Sequence, residues 1–163
     1  MWSFNRRTLL MVPLALAACG FQPVYGPGGA GDVLRGRVEV SAPDDVESYW
    51  LVQNLEQSLG RTAAAGTDYL LDVKVRTASQ GQAITASNDT TRYSIVGTAA
   101  YTLTDKESGA VMASGEVRNF TGYSATGSTV DTLAGERDAR QRLMVILSDQ
   151  LVTQLYATLD QPA

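Results

Sequence analysis

Thr91-Arg92-Tyr93-Ser94-Ile95-Val96-Gly97-Thr98-Ala99-Ala100-Tyr101-Thr102-Leu103-Thr104, followed by Asp105-Lys106-Glu107-Ser108-Gly109 and the return from Ala110 to Phe120, is the stretch that decides the fold. Tyr93, Ile95, Gly97, Ala99, Tyr101 and Leu103 alternate with Arg92, Ser94, Thr98 and Thr102, the period of two of a strand buried on one face. The five polar residues that follow, with their glycine late, suit a hairpin loop. The return strand then sets Val111, Ala113, Gly115 and Val117 inward and Ser114, Glu116 and Arg118 outward.

Working outward, Tyr69 to Thr77 alternates in the same way, with Leu71, Val73 and Val75 opposite Asp72, Lys74 and Arg76. Leu34 to Val40 reads as a first strand stopped by Pro43. Asp44 or Asp45 can cap a helix running to Leu59, with Leu51, Val52, Leu55 and Leu59 on one face and Gly60 as its stop. Tyr49 and Trp50 fall off that stripe, either wrapping the core edge or meeting a partner. Ala78 to Asp89 and Gly122 to Val130 lack periodicity and read as polar loops. Thr132 to Leu159 is a long helix that Ser128 or Asp131 can cap, with Leu143, Ile146, Leu147 and Leu151 as an inward stripe. Val145, Val152, Tyr156 and Leu159 lie on another side of it, either buried by the first helix or reserved for a partner. These elements make an α+β two-layer sandwich, two helices packed on one face of a mostly antiparallel sheet of about four strands.

The first residues are not part of that domain. Arg6 and Arg7 precede a ten-residue apolar run, Leu9 to Ala18, where a spanning helix needs about 20 residues. This is an export signal rather than a permanent membrane span. Leu16-Ala17-Ala18-Cys19 resembles the lipobox of bacterial lipoproteins, which implies cleavage before Cys19 and acylation there, with Leu16, Ala17 and Ala18 read by the signal peptidase. Cys19 is the single cysteine of the chain and cannot form an intramolecular disulfide. Attached acyl chains, at about 0.8 kcal/mol per buried CH2, anchor a protein to a membrane without spanning it. Gly20 stands where aspartate retains such lipoproteins in the inner membrane, so outer-membrane sorting is expected. The chain therefore divides into residues 1–18, a signal peptide; 19–32, a lipidated start and glycine-rich tether; and 33–160, the α+β domain.

Composition narrows the chemistry. The chain has 13 basic and 17 acidic side chains and no histidine. Removal of Arg6 and Arg7 makes it more acidic, which argues against nucleic acid as a partner. Zinc sites built on histidine and cysteine, a Ser-His-Asp triad and a Cys-His dyad are all unavailable. No enzymatic activity, metal or cofactor is expected.

Against this acidic background, Lys74, Arg76, Arg92 and Arg118 share the polar face of the sheet by parity. Guanidinium groups bind phosphate bidentately and lysine adds a point charge, so such a face suits a multivalent phosphate ligand. The alternative is a solvated face balanced by Asp72 and Glu116. Arg92 and Arg118 lie on the two arms of one hairpin and become neighbours if the loop sets the register.

Cys19-Gly20-Phe21-Gln22-Pro23-Val24-Tyr25-Gly26, followed by strand, helix, strand, long hairpin and long helix, resembles the LPS-assembly lipoproteins of the LptE family. The resemblance implies a non-enzymatic partner of the outer-membrane β-barrel LptD. It would plug the barrel, aid its assembly and help insert lipopolysaccharide into the outer membrane. A polar, threonine-rich sheet face suits a polar barrel interior. Phe21, Tyr25, Val152 and Tyr156 are the candidate barrel contacts, and Arg92, Arg118, Lys74 and Arg76 the candidate lipopolysaccharide phosphate contacts. The segments 82–91 and 124–133, where the family binds lipopolysaccharide, hold no basic residue, which leaves Arg92 and Arg118 nearest. The competing assignment is an auxiliary lipoprotein of a periplasmic ABC-type lipid transporter. A periplasmic hydrolase is the third possibility, but no carboxylate pair has the spacing for it.

Overall fold

In the computed structural model, which describes residues 26, 29–60, 68–84 and 90–159, the expected hairpin is the centre of the sheet. Strands β1 (Val38–Val40), β2 (Tyr69–Ile84), β3 (Thr90–Asp105) and β4 (Val111–Ser124) lie side by side in sequence order. β1 runs parallel to β2, and the other pairs are antiparallel. Helices α1 (Ala30–Leu34), α2 (Val46–Ser58) and α3 (Thr129–Leu159) complete the chain. α2 and α3 cover one face of the sheet and leave the other open, the α+β sandwich expected.

The alternation in β3 does what its period requires. Ile95, Ala99, Tyr101 and Leu103 are buried beneath the helices together with Leu71, Ala113 and Val117. Gly97 marks a close approach of helix to sheet: a Cβ there would lie 2.9 Å from the Leu143 and Leu147 side chains. Leu51 and Leu55 of α2 and Leu59 at its C-cap meet Leu143, Leu147, Leu151 and Leu155 of α3 in the same core.

Both long helices begin with reciprocal caps. The Ser48 amide donates to Asp45 Oδ1 at 2.6 Å while the Asp45 amide donates to Ser48 Oγ at 2.9 Å. At α3 the Ser128 amide donates to Asp131 Oδ2 and the Asp131 amide donates to Ser128 Oγ. Ser128 and Asp131, alternative caps on paper, act as a pair. Gly60 ends α2 with a φ of +72°, the left-handed conformation that glycine adopts without a Cβ clash.

Four boundaries differ from the sequence expectation. Residues 30–34 form α1 with Leu34 buried, so the end of the glycine-rich tether and the start of the expected first strand are helical. β1 is correspondingly only three residues long. β2 extends to Ile84 through Ser79, Gln80 and Gly81, and β4 extends to Ser124. Residues 78–82 of β2 are exposed on both faces, and the end of β4 carries Thr121, Gly122 and Ser124, so neither extension has an apolar alternation to announce it. α3 begins at Thr129, three residues early, because Ser128 caps it. Ile146, expected inward, is 37% exposed; Met144, Ser148 and Leu155 occupy the buried side instead.

Candidate functional site

The open sheet face is built by register. Arg76 pairs with Thr98, and Thr98 with Arg118, so the two arginines flank one threonine in a single row across three strands. Two strand spacings place their Cα atoms about 10 Å apart. Lys74, Ala100 and Glu116 form the next row in one direction, and Ala78, Val96 and Phe120 the next in the other. Phe120 is 67% exposed. A row of cations therefore borders an exposed apolar row, a combination that suits an amphiphile carrying phosphate beside hydrocarbon.

Arg92 does not join that row. It pairs with Ser124, six positions along β3 from Thr98, and a strand rise of about 3.4 Å per residue puts it about 20 Å from Arg118. The expected proximity of Arg92 and Arg118 is thus corrected: they share a face but occupy different parts of it. A five-residue loop alone would already set Arg92 opposite Gly122, away from Arg118, and the irregularity between Leu103 and Thr104 carries it on to Ser124, so the two arginines are apart in either register. Arg92 instead lines a cleft of about 760 Å³ at the far end of the sheet, with Gln82, Ser94, Phe120, Gly122 and Ser124. Phe120 links the cleft to the arginine row. Lys74, Arg76, Arg92 and Arg118 are all exposed, and among the described residues none of them forms an ion pair.

Val152 and Tyr156 are not available as barrel contacts, since they are only 8% and 6% exposed in the core. The reason is packing, as α2 lies beside this end of α3 and buries a wider arc than one stripe. Cys19, Leu16, Ala17, Ala18, Phe21 and Tyr25 lie outside the described residues.

Sequence reasoning overlooked two features. The first is Phe120, although the parity that placed Arg118 outward also places Phe120 there. The second is a polar clamp beneath the far half of the sheet. Arg140 of α3 pairs with Glu47 of α2 and with Glu136 one turn back, and Thr77 of β2 donates to Glu47 Oε2 at 2.8 Å. Burial opposes the charge on Arg140, but its hydrogen bonds to Glu136 and Glu47 outweigh that and raise its pKa. Glu47 and Thr77 lie 93 and 63 positions from Arg140, so no local spacing reveals them, whereas Glu136 stands at the i,i+4 spacing of a helix.

Tyr93 and Tyr123 stack at 5.3 Å on the covered side of the same end. Among the described residues no group of three His, Cys, Asp or Glu side chains is placed to hold a metal, and no helix is long and apolar enough to cross a membrane.

Solved structures share this fold. A lipoprotein from Caulobacter crescentus matches with a TM-score of 0.67 at 16% identity, over 82% of this chain and 98% of that one. Lipoprotein B from Nitrosomonas europaea matches with a TM-score of 0.58 at 16% identity, over 85% and 91%. The rare lipoprotein B from Shewanella oneidensis matches with a TM-score of 0.56 at 8% identity, over 74% and 92%. Among curated proteins none matches the chain. Residues 35–155, from the end of α1 to near the end of α3, match the family described as LptE, lipopolysaccharide-assembly. That match covers nearly the whole two-layer domain, and the chain belongs to the LptE lipopolysaccharide-assembly family.

Proposed function

We propose that this protein is an outer-membrane lipoprotein, anchored through Cys19, that binds the LptD β-barrel as a plug. It acts without catalysing a reaction, helping the barrel assemble and lipopolysaccharide enter the outer membrane. The observation that carries the reading is the family match over residues 35–155. The Leu16-Ala17-Ala18-Cys19 motif and Gly20 support the anchor and its sorting.

The open face suits both tasks. Its threonines and charged side chains fit a polar barrel lumen, and its cations can meet lipopolysaccharide phosphates. Phosphate contacts divide between the Arg76 and Arg118 row and the Arg92 cleft. Phe120, between them, offers a surface to acyl chains or to the barrel wall.

Affinity purification of the tagged, lipidated chain from detergent-solubilised outer membranes tests the reading. A large β-barrel retained in stoichiometric amount after stringent washing is the expected result. Recovery of transporter subunits, or of no partner, overturns it.

A further inference from the structure

Beyond Val73, one edge of β2 has no strand beside it among the described residues. β1 pairs only with Tyr69 to Leu71. The Ser41 amide then donates to the Leu71 carbonyl at 2.9 Å, and Ser41 Oγ accepts from the Val73 amide at 3.3 Å. Pro43, which has no amide hydrogen, follows, and the chain turns away into α2.

Tyr69 donates its amide toward this edge, to the Arg37 carbonyl at 3.2 Å. The strand alternation points the backbone amides and carbonyls of Val75, Thr77 and Ser79 the same way. Among the described residues these backbone groups have no hydrogen-bond partner. Such an edge is a template for another strand.

The charge on the edge selects what can add. Lys74 and Arg76 flank Val75 on the open face, and Arg118 stands in the Arg76 row. A second copy joining edge to edge would bring two such cation pairs together, and like charges across strands are destabilising. Carboxylates on an incoming strand would instead meet Lys74 and Arg76, which have no ion-pair partner among the described residues.

We propose that the β2 edge from Val75 to Ser79 accepts an extended acidic segment of a partner protein by strand addition. The inference shares Arg76 with the phosphate reading of the open face, but its backbone pairing at Val75, Thr77 and Ser79 stands whether or not lipopolysaccharide meets Arg92 and Arg118.

The test uses the full mature chain in detergent and follows amide hydrogen exchange at Val75, Thr77 and Ser79. The probes are a short peptide alternating glutamate and valine, the same peptide N-methylated throughout, and a lysine–valine counterpart. The glutamate peptide should slow exchange at these three amides by about tenfold or more, while the other two leave it unchanged. No slowing, or equal slowing by all three peptides, overturns the proposal.

Two variants separate its parts. Ser79→Pro removes an edge donor that has no partner, at the kind of site where proline is tolerated, and should abolish the slowing with an unchanged circular dichroism spectrum. The double variant Lys74→Glu and Arg76→Glu should transfer the preference to the lysine peptide. Retained preference for the glutamate peptide in that variant overturns the proposal, whether or not Ser79→Pro folds.

Discussion

Arg76 and Arg118 stand on either side of Thr98 in one row of the sheet, while Arg92 sits six positions away opposite Ser124. The basic face is therefore two sites joined by Phe120. Reversing Arg76 and Arg118 together, and Arg92 separately, should each weaken lipopolysaccharide binding and its salt dependence, with effects that add because the sites are well separated. Titration of the mature chain with lipopolysaccharide micelles at low and high salt checks this. Unchanged binding in all variants, with intact circular dichroism, would return these three arginines to a solvated face.

Gly97→Ala should destabilise the domain by about 1–3 kcal/mol, the usual cost of overpacking. The new Cβ would lie 2.9 Å from the side chains of both Leu143 and Leu147, which are fully buried and would have to shift. Urea unfolding should show a lower midpoint with an unchanged slope.

Replacing Asp45 by alanine removes half of the α2 capping box and should cost about 1 kcal/mol. The side-chain and backbone hydrogen bonds from Ser48 hold the Asp45 carboxyl below its ordinary range, and Ser128 does the same for Asp131. A carboxyl lowered in the folded state contributes stability that is complete above its unfolded pKa of about 3.9 and is lost as pH falls through the folded value. Thermal melts should thus fall below about pH 4, and Asp45→Asn should flatten that decline.

Cys19→Ala should leave an uncleaved precursor without acyl chains. Gel mobility and labelling with radioactive palmitate read both changes, and normal processing of the variant would refute the lipid anchor.

Glu47→Ala should loosen the far half of the helical layer, because it strips Arg140 of its contact with α2 and leaves Thr77 without its acceptor. The pair is partly buried, so the loss should exceed the 0–1 kcal/mol typical of a surface ion pair. Faster amide exchange confined to the start of α2 and the middle of α3 is the expected signature.

Much of this was legible in the chain order. The alternation from Tyr93 to Leu103 and from Val111 to Val117 specified the hairpin and its buried face, since one apolar face admits one strand orientation. The Leu51, Leu55 and Leu59 stripe, the Asp45 cap and Gly60 specified α2 equally well. The polar extension of β2 through Ser79 was not legible, because a strand exposed on both faces has no hydrophobic period. Val152 and Tyr156 were ambiguous for a related reason: a helical stripe reveals an apolar side but not whether a neighbour from the same chain covers it.

The sequence by itself determined the class of fold, the strand faces, the two residues at each helix start that could cap it and the membership of all four cations in one face, because each depends on residues a few positions apart. Only the tertiary structure decided which of those cations are neighbours, that Arg140 binds Glu47, and that β2 keeps an open edge. Those relations rest on strand register and helix docking, which join residues up to 93 positions apart that no local pattern connects.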